Sequence, residues 1–170
     1  WNSRGHHSFH VIFQRTRKTS VDGEDGEGTK PTPPTFRFET WPTEFRTITQ
    51  GFGNNPAYYA QFNLAGHEGI DIKATQGSQI CCVAPGTVKL IYPSPTGHNY
   101  GIHVRVEHAD GYETIYAHLQ TVFVQEGQAV TAGAVLGLAD HTGNVIGDPA
   151  DHLHLTLKHR GETLAGYPNN

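Results

Sequence analysis

Residues 101–119 read GIHVRVEHADGYETIYAHL. Ile102, Val104 and Val106 alternate with His103, Arg105 and Glu107, the two-residue period of a half-buried strand. Tyr112 to Leu119 is a second β-rich run. The intervening Asp110-Gly111 pair suits a tight hairpin, whose two central residues need positive φ. Working outward, Thr87 to Tyr92 and Ile80 to Val83 also read as strands. Ala84-Pro85-Gly86 and Pro93 to Gly97 punctuate them. Downstream, Val124 to Leu138 (VQEGQAVTAGAVLGL) sets Gly127, Gly133 and Gly137 among Val and Leu, the composition of short strands joined by tight turns. These patterns predict an all-β domain built on a mostly antiparallel β-sheet, with few or no helices. Asn54 to Gly66 shows no periodicity and reads as a long loop, a class of segment that often carries function.

Composition agrees. Among 170 residues, Gly (20) is well above the usual share, and charged residues (16%) fall below the usual quarter, which argues against a long helical bundle or coiled coil. The net charge is −4 and no basic stripe is visible, so nucleic acid is excluded as a partner class. No apolar run approaches the ~18 residues of a membrane-spanning helix. Cys81 and Cys82 are adjacent, a spacing too constrained for an ordinary bridge between distant elements, and read as two free thiols.

The chain divides into three parts. Residues 1–19 contain a strand-like run, Phe9 to Thr16, and are expected to be the remnant of an upstream domain or an added strand. Residues 20–35 (SVDGEDGEGTKPTPPT) have no apolar residue after Val21 and read as a flexible Gly/Pro/acidic linker. Residues 36–170 form the main domain.

Twelve His against 2 Cys is the feature that points to chemistry, because imidazole is both a common metal ligand and a base near neutral pH. In Asp151-His152-Leu153-His154-Leu155-Thr156-Leu157, the leucines alternate with the two histidines. On a strand the leucines face the core and both imidazoles share the opposite face. Taken alone, this also fits an amphipathic strand with exposed histidines. In Gly66-His67-Glu68-Gly69-Ile70-Asp71-Ile72, His67 and Asp71 lie four residues apart, on one face of an extended segment. Two histidines and a carboxylate make a three-ligand site with an open position, the arrangement of a catalytic rather than a closed structural zinc. His118 ends the run Thr114 to Leu119, before a Gln-Thr turn, and becomes a proton donor or acceptor if it meets the other two segments. The remaining domain histidines, His98, His108, His141 and His159, read as loop or surface residues. His103, on the polar side of its strand, is a candidate substrate contact.

The motifs His67-Glu68-Gly69-Ile70-Asp71, Tyr116-Ala117-His118-Leu119 and His152-Leu153-His154-Leu155, in this order, resemble those of the lysostaphin/LytM-type zinc metallopeptidases. Val83-Ala84-Pro85-Gly86-Thr87-Val88 and Val124 to Val130 resemble the family's connecting segments, so the likeness covers about residues 48–158. It implies a LytM-like fold with a metal-bearing groove. It implies Zn²⁺ on His67, Asp71 and His154, with His118 and His152 as catalytic histidines, and leaves open which of the two is the base. The implied activity is hydrolysis of peptide bonds in bacterial cell-wall peptidoglycan, in stem peptides or cross-bridges, by an extracellular or periplasmic, monomeric enzyme. The alternative within the resemblance is a catalytically silent module that binds the wall or activates a partner hydrolase. Departures are local. Ile102 stands where the family often has Asn, and an acidic Gly147 to Asp151 replaces a shorter approach to His152. A lipoyl- or biotin-carrier module would need a Lys at a hairpin tip, and none lies between Lys89 and Lys158. A cupin would want Glu soon after His-x-His, where this chain has Lys158.

Overall fold

The hairpin at residues 102–122 is the spine of the domain. In the computed structural model, which describes residues 11–14, 36–146 and 150–168, strand β6 (Ile102–Glu107) pairs antiparallel with β7 (Tyr112–Val122). The turn between them holds Asp110 at φ 59° and Gly111 at φ 81°, the positive φ values that the Asp-Gly pair supplies cheaply.

In chain order the other strands are β1 (Val11–Gln14), β2 (Ile48–Gln50), β3 (Ile70–Lys73), β4 (Gln79–Cys81), β5 (Gly86–Tyr92), β8 (Ala129–Val130), β9 (Val135–Ala139), β10 (His152–His159), β11 (Glu162–Thr163) and β12 (Ala165–Pro168). The main sheet runs β2-β3-β10-β7-β6-β5-β8. β11 pairs with β10, and β9 pairs with both β4 and β7. Every pairing is antiparallel. Strand β1 pairs with β12 in a separate two-stranded sheet. The expected linker, residues 20–35, lies outside the described residues, and so does the rest of residues 1–19. No helix among the described residues is long and apolar enough to cross a membrane.

Two sequence readings change here. The segment 54–66 is not all loop: it forms α1 (Pro56–Tyr59) and a 3-10 turn (Ala60–Phe62). A helix this short leaves no hydrophobic periodicity to detect, and only Pro at its start marks it. Strand β7 does not end at His118. It runs on to Val122, pairing with β10 through Tyr112–Ala117 and with β9 through Leu119–Val122.

The core is the inner face of these strands. Ile72, Ile80, Val83, Tyr116, Leu119, Leu136 and Leu153 have no exposed surface. Burying a side chain of this kind contributes about 1.5–3 kcal/mol. Polar groups inside are paired. Tyr116 Oη accepts from the Val83 amide at 2.9 Å and the Thr114 hydroxyl lies 3.1 Å from it. His108 corrects its surface assignment. It is buried, 2.7 Å from both the Pro85 carbonyl and the Thr114 hydroxyl, because Phe36 and Tyr112 cover it. Cys81 and Cys82 are both free thiols.

Candidate metal centre

Three strands set the site. In the β3–β10 register Asp71 faces His154 directly, so their side chains share one side of the sheet, while Ile70, Ile72, Leu153 and Leu155 fill the other. His67 enters from the bend before β3, its position fixed by reciprocal backbone bonds between 53–54 and 67. Gly69 is required here: a Cβ on it would lie 2.8 Å from His154 Cε1 and 2.7 Å from the Leu155 carbonyl oxygen.

The ligand atoms converge. His67 Nε2 lies 2.9 Å from His154 Nδ1 and 3.1 Å from Asp71 Oδ1, and His154 Nδ1 lies 2.9 Å from the same carboxylate oxygen. All three residues are buried. His67 Nδ1–H donates to the Gly51 carbonyl at 3.2 Å, which turns Nε2 toward the other two. His154 Nε2 is 2.9 Å from the Thr156 hydroxyl, so its Nδ1 is the atom turned inward. Two imidazole nitrogens and one carboxylate oxygen thus face one another across a triangle. A tetrahedral zinc with bonds near 2.0–2.1 Å places its ligand atoms roughly 3.3 Å apart, so small outward shifts fit this triangle to such an ion. The donor set, two imidazoles and one carboxylate, is also the right chemistry for it.

Electrostatics agree with a cation site. Burial opposes ionisation of Asp71, but hydrogen bonds from His154 and His67 outweigh it and hold the carboxyl well below its usual range. Burial pushes the His154 pKa down, keeping the ring neutral, the form that ligates.

His118 and His152 stand beside the triangle. Their ring centroids are 4.8 Å apart, and His152 Nε2 is 3.6 Å from Asp71 Oδ1. Strand parity alone would turn His118 away, because Ala117 is the residue opposite His154. At His118 the backbone takes φ 61°, where β7 carries one residue more than β6 and changes partner from β10 to β9. This bulge re-aims the side chain. His118 Nδ1–H donates to the Thr142 carbonyl at 2.7 Å and His152 Nδ1–H to the Ala150 carbonyl at 2.8 Å, so each ring turns its Nε2 away from that carbonyl. Burial, followed by the neighbouring imidazoles of His154 and His152, pushes the His118 pKa down to about 3.

A groove of about 350 Å³ opens over His67, His118 and His154. Its walls include Tyr58, Tyr59 and Phe62 from the short helical segment, and His98 and Tyr100 from the loop before β6. His98 therefore lines the groove although its sequence context read as loop or surface. His103 does not reach it: the ring is 1% exposed, stacked on Tyr92 and packed against His98. The rings of Tyr92, His98 and Tyr100 cover that polar side of β6, so the His103 ring lies beneath them rather than on the groove. Sequence reasoning also missed Tyr100, which stacks on His154 with centroids 5.2 Å apart, and Thr156, which orients the same ring. Thr156 sits two residues beyond His154 on the same face of β10, and that spacing was the available signal.

Residues 65–165 match the family model described as peptidase family M23. Over 124 residues, the chain is 31% identical to the murein hydrolase activator NlpD of Escherichia coli (strain K12), a match covering 73% of this chain and 29% of that protein. It is 30% identical over 128 residues to the peptidoglycan DD-endopeptidase ShyA of Vibrio cholerae, covering 75% of this chain and 28% of that protein. Both curated relatives are thus more than three times as long as the stretch they share with it. The crystal structure of a zinc-containing peptidase from Vibrio cholerae superposes with a TM-score of 0.62 at 29% identity, over 74% of this chain and 38% of that one. With a matched family model covering more than half of the chain, including the triad and both flanking imidazoles, the chain belongs to peptidase family M23.

Proposed function

We propose that the chain is a zinc-dependent endopeptidase that hydrolyses peptide bonds in bacterial cell-wall peptidoglycan, outside the cytoplasm, and that it acts as a monomer. The observation that carries this reading is the joint presence of a buried His67–Asp71–His154 triangle and two further imidazoles, each with Nδ1–H held by a carbonyl and Nε2 turned away from it. Zinc held by His67, Asp71 and His154 would supply Lewis acidity, lowering the pKa of a bound water and polarising the scissile carbonyl. The chain's own groups supply the rest. One of His118 and His152 accepts a proton at Nε2 from the attacking water. The other donates to the developing oxyanion or to the departing amine. A low His118 pKa keeps its Nε2 available as an acceptor at neutral pH. The aromatic wall of Tyr58, Tyr59 and Phe62 and the opposite His98 and Tyr100 would confine an extended peptide between them.

The likeness to NlpD supports a second reading, a silent module that activates a partner hydrolase. The likeness to ShyA and the complete set of five side chains favour the enzyme. The deciding experiment is mass spectrometry of products from defined peptidoglycans digested by the zinc-loaded chain, alongside His154→Ala and His118→Ala. The enzyme reading expects new amine termini from the unaltered chain, loss of both zinc and products in His154→Ala, and retained zinc with lost products in His118→Ala. Zinc bound at one per chain with no cleavage of any wall, but stimulation of an added hydrolase, would establish the second reading instead.

A further inference from the structure

The connection from β9 to β10 begins at Asp140 and returns at Asp151, and its two ends do a job that the triad itself does not explain. The carbonyl that fixes His118 belongs to Thr142, at the outgoing end. The carbonyl that fixes His152 belongs to Ala150, at the returning end. The two ends are tied together by side chains. His141 Nδ1 lies 2.8 Å from Asp151 Oδ1 and 2.9 Å from Asp140 Oδ1, and Gln76 Nε2 donates to Asp140 at 3.0 Å. The backbone adds a bridge between Asp140 and His152 and a bond from the Asp140 amide to the His118 carbonyl at 3.0 Å. The Thr142 hydroxyl donates to the Leu119 carbonyl at 2.7 Å and accepts from the Ile102 amide at 3.1 Å, which anchors the outgoing end on β6 and β7. At the returning end, Asp151 reaches across to His141.

We propose that the Asp140–His141–Asp151 clamp is a positioning device that registers the Ala150 carbonyl against the Thr142 carbonyl, and so holds the His118 and His152 rings together, each with Nδ1–H on its carbonyl and Nε2 turned away from it. His141 acts through Asp151 and does not line the groove, which makes it a positioning residue rather than a catalytic one. Its side chain is 55% exposed, and an exposed ion pair contributes little to stability, so its effect belongs to geometry rather than to folding. The Asp151 hydrogen bond, with Asp140 beside it, raises the His141 pKa and thereby favours the charged donor that both carboxylates need. Loosening one end of the connection would free His152 to rotate or to exchange tautomers. A misplacement of about 1 Å in a catalytic group costs on the order of a hundredfold in rate.

This inference rests on the two imidazoles being the proton-handling groups of the proposed enzyme, and its test separates the two claims. Two-bond ¹H–¹⁵N spectra of the imidazoles are recorded on the zinc-loaded full chain and on His141→Ala, Asp151→Asn and His141→Arg. His152 is expected to leave the Nδ1–H pattern for a mixed one in His141→Ala and Asp151→Asn, and to recover in His141→Arg, which keeps a cationic donor. In parallel, kcat on a wall peptide is expected to fall on the order of tenfold or more in the first two variants. KM is expected to change less than twofold, with zinc content unchanged and activity partly restored in His141→Arg. An unchanged His152 pattern in both folded, clamp-broken variants overturns the proposal, whatever the activity. If His141→Ala does not fold, Asp151→Asn, which keeps the side-chain volume, decides it. A chain that cleaves nothing defeats the enzyme reading alone, because the imidazole spectra still report on the clamp.

Discussion

His118 reaches the triangle only because one residue of β7 adopts φ 61°, a conformation that costs a non-glycine residue about 1–3 kcal/mol and persists where the surrounding structure holds it in place. The hold is visible: its amide donates to the Tyr100 carbonyl at 2.9 Å, its carbonyl accepts from Asp140, and its ring is fixed by Thr142. Period-two reasoning places His152 and His154 together on one face. It cannot place His118, because a bulge is an exception to the period, and only the motif resemblance grouped it with the others. Gly69 shows a second kind of residue-scale constraint. Its hydrogen leaves the room that the His154 ring occupies. Gly69→Ala is expected to push the ring off the His67–Asp71 edge. Zinc affinity should then drop at least tenfold, with the far-ultraviolet circular dichroism of the apo chain unchanged. Equilibrium titration with a zinc-sensitive dye measures this, and an unaltered affinity would show that the contact relaxes without cost.

At the scale of elements, β10 was the most legible part of the chain. Three leucines alternating with two histidines and a threonine leave a strand only one way to lie, and a one-residue slip would reverse all six side chains. The structure sets Leu153 opposite Ile72 and Leu155 opposite Ile70, so the core contacts lock the register that juxtaposes Asp71 and His154. The α1 segment was illegible for the converse reason. With no buried residue and four residues of helix, it carries no pattern, yet it supplies the aromatic wall of the groove through Tyr58 and Tyr59. Leu153→Ala tests the link between packing and register. Leu153 is fully buried, so its truncation is expected to lower the unfolding free energy by about 2–5 kcal/mol. Folded protein should still bind one zinc per chain, because Leu155, Leu157 and the β7 pairing keep the strand in place. Urea melts and metal analysis check the two parts separately, and a loss of zinc from the folded fraction would mean that Leu153 alone sets the register.

For the molecule as a whole, the sequence reading misplaced two histidines inward of where they were expected, and that error has a measurable consequence. His103 and His108 came from runs that read as polar edges. The rings of Tyr92, His98 and Tyr100 cover His103, and Phe36 covers His108, so both are buried instead. Neither outcome is visible in a single strand's pattern, because both depend on a distant segment folding over it. Burial, opposed by the Gly101 carbonyl and reinforced by His98 and Arg105, lowers the His103 pKa to about 4, against about 6.5 in an unfolded chain. Burial lowers that of His108 in the same sense. Between pH 6.5 and 4 the unfolded chain therefore binds more protons than the folded one, and stability falls as pH falls through this window. Above pH 6.5 both states hold His103 neutral and the effect vanishes; below pH 4 both are charged and the loss is complete. One pKa unit corresponds to about 1.4 kcal/mol, so His103 alone accounts for a loss of at most about 3.5 kcal/mol. Denaturant midpoints of the apo chain at pH 7, 6, 5 and 4.5 should drop steadily. His103→Gln, which keeps a hydrogen-bonding group but cannot titrate, should drop less steeply over the same interval, whatever its stability at pH 7. Equal slopes for the two proteins would mean that His103 opens to water and takes up its proton without unfolding.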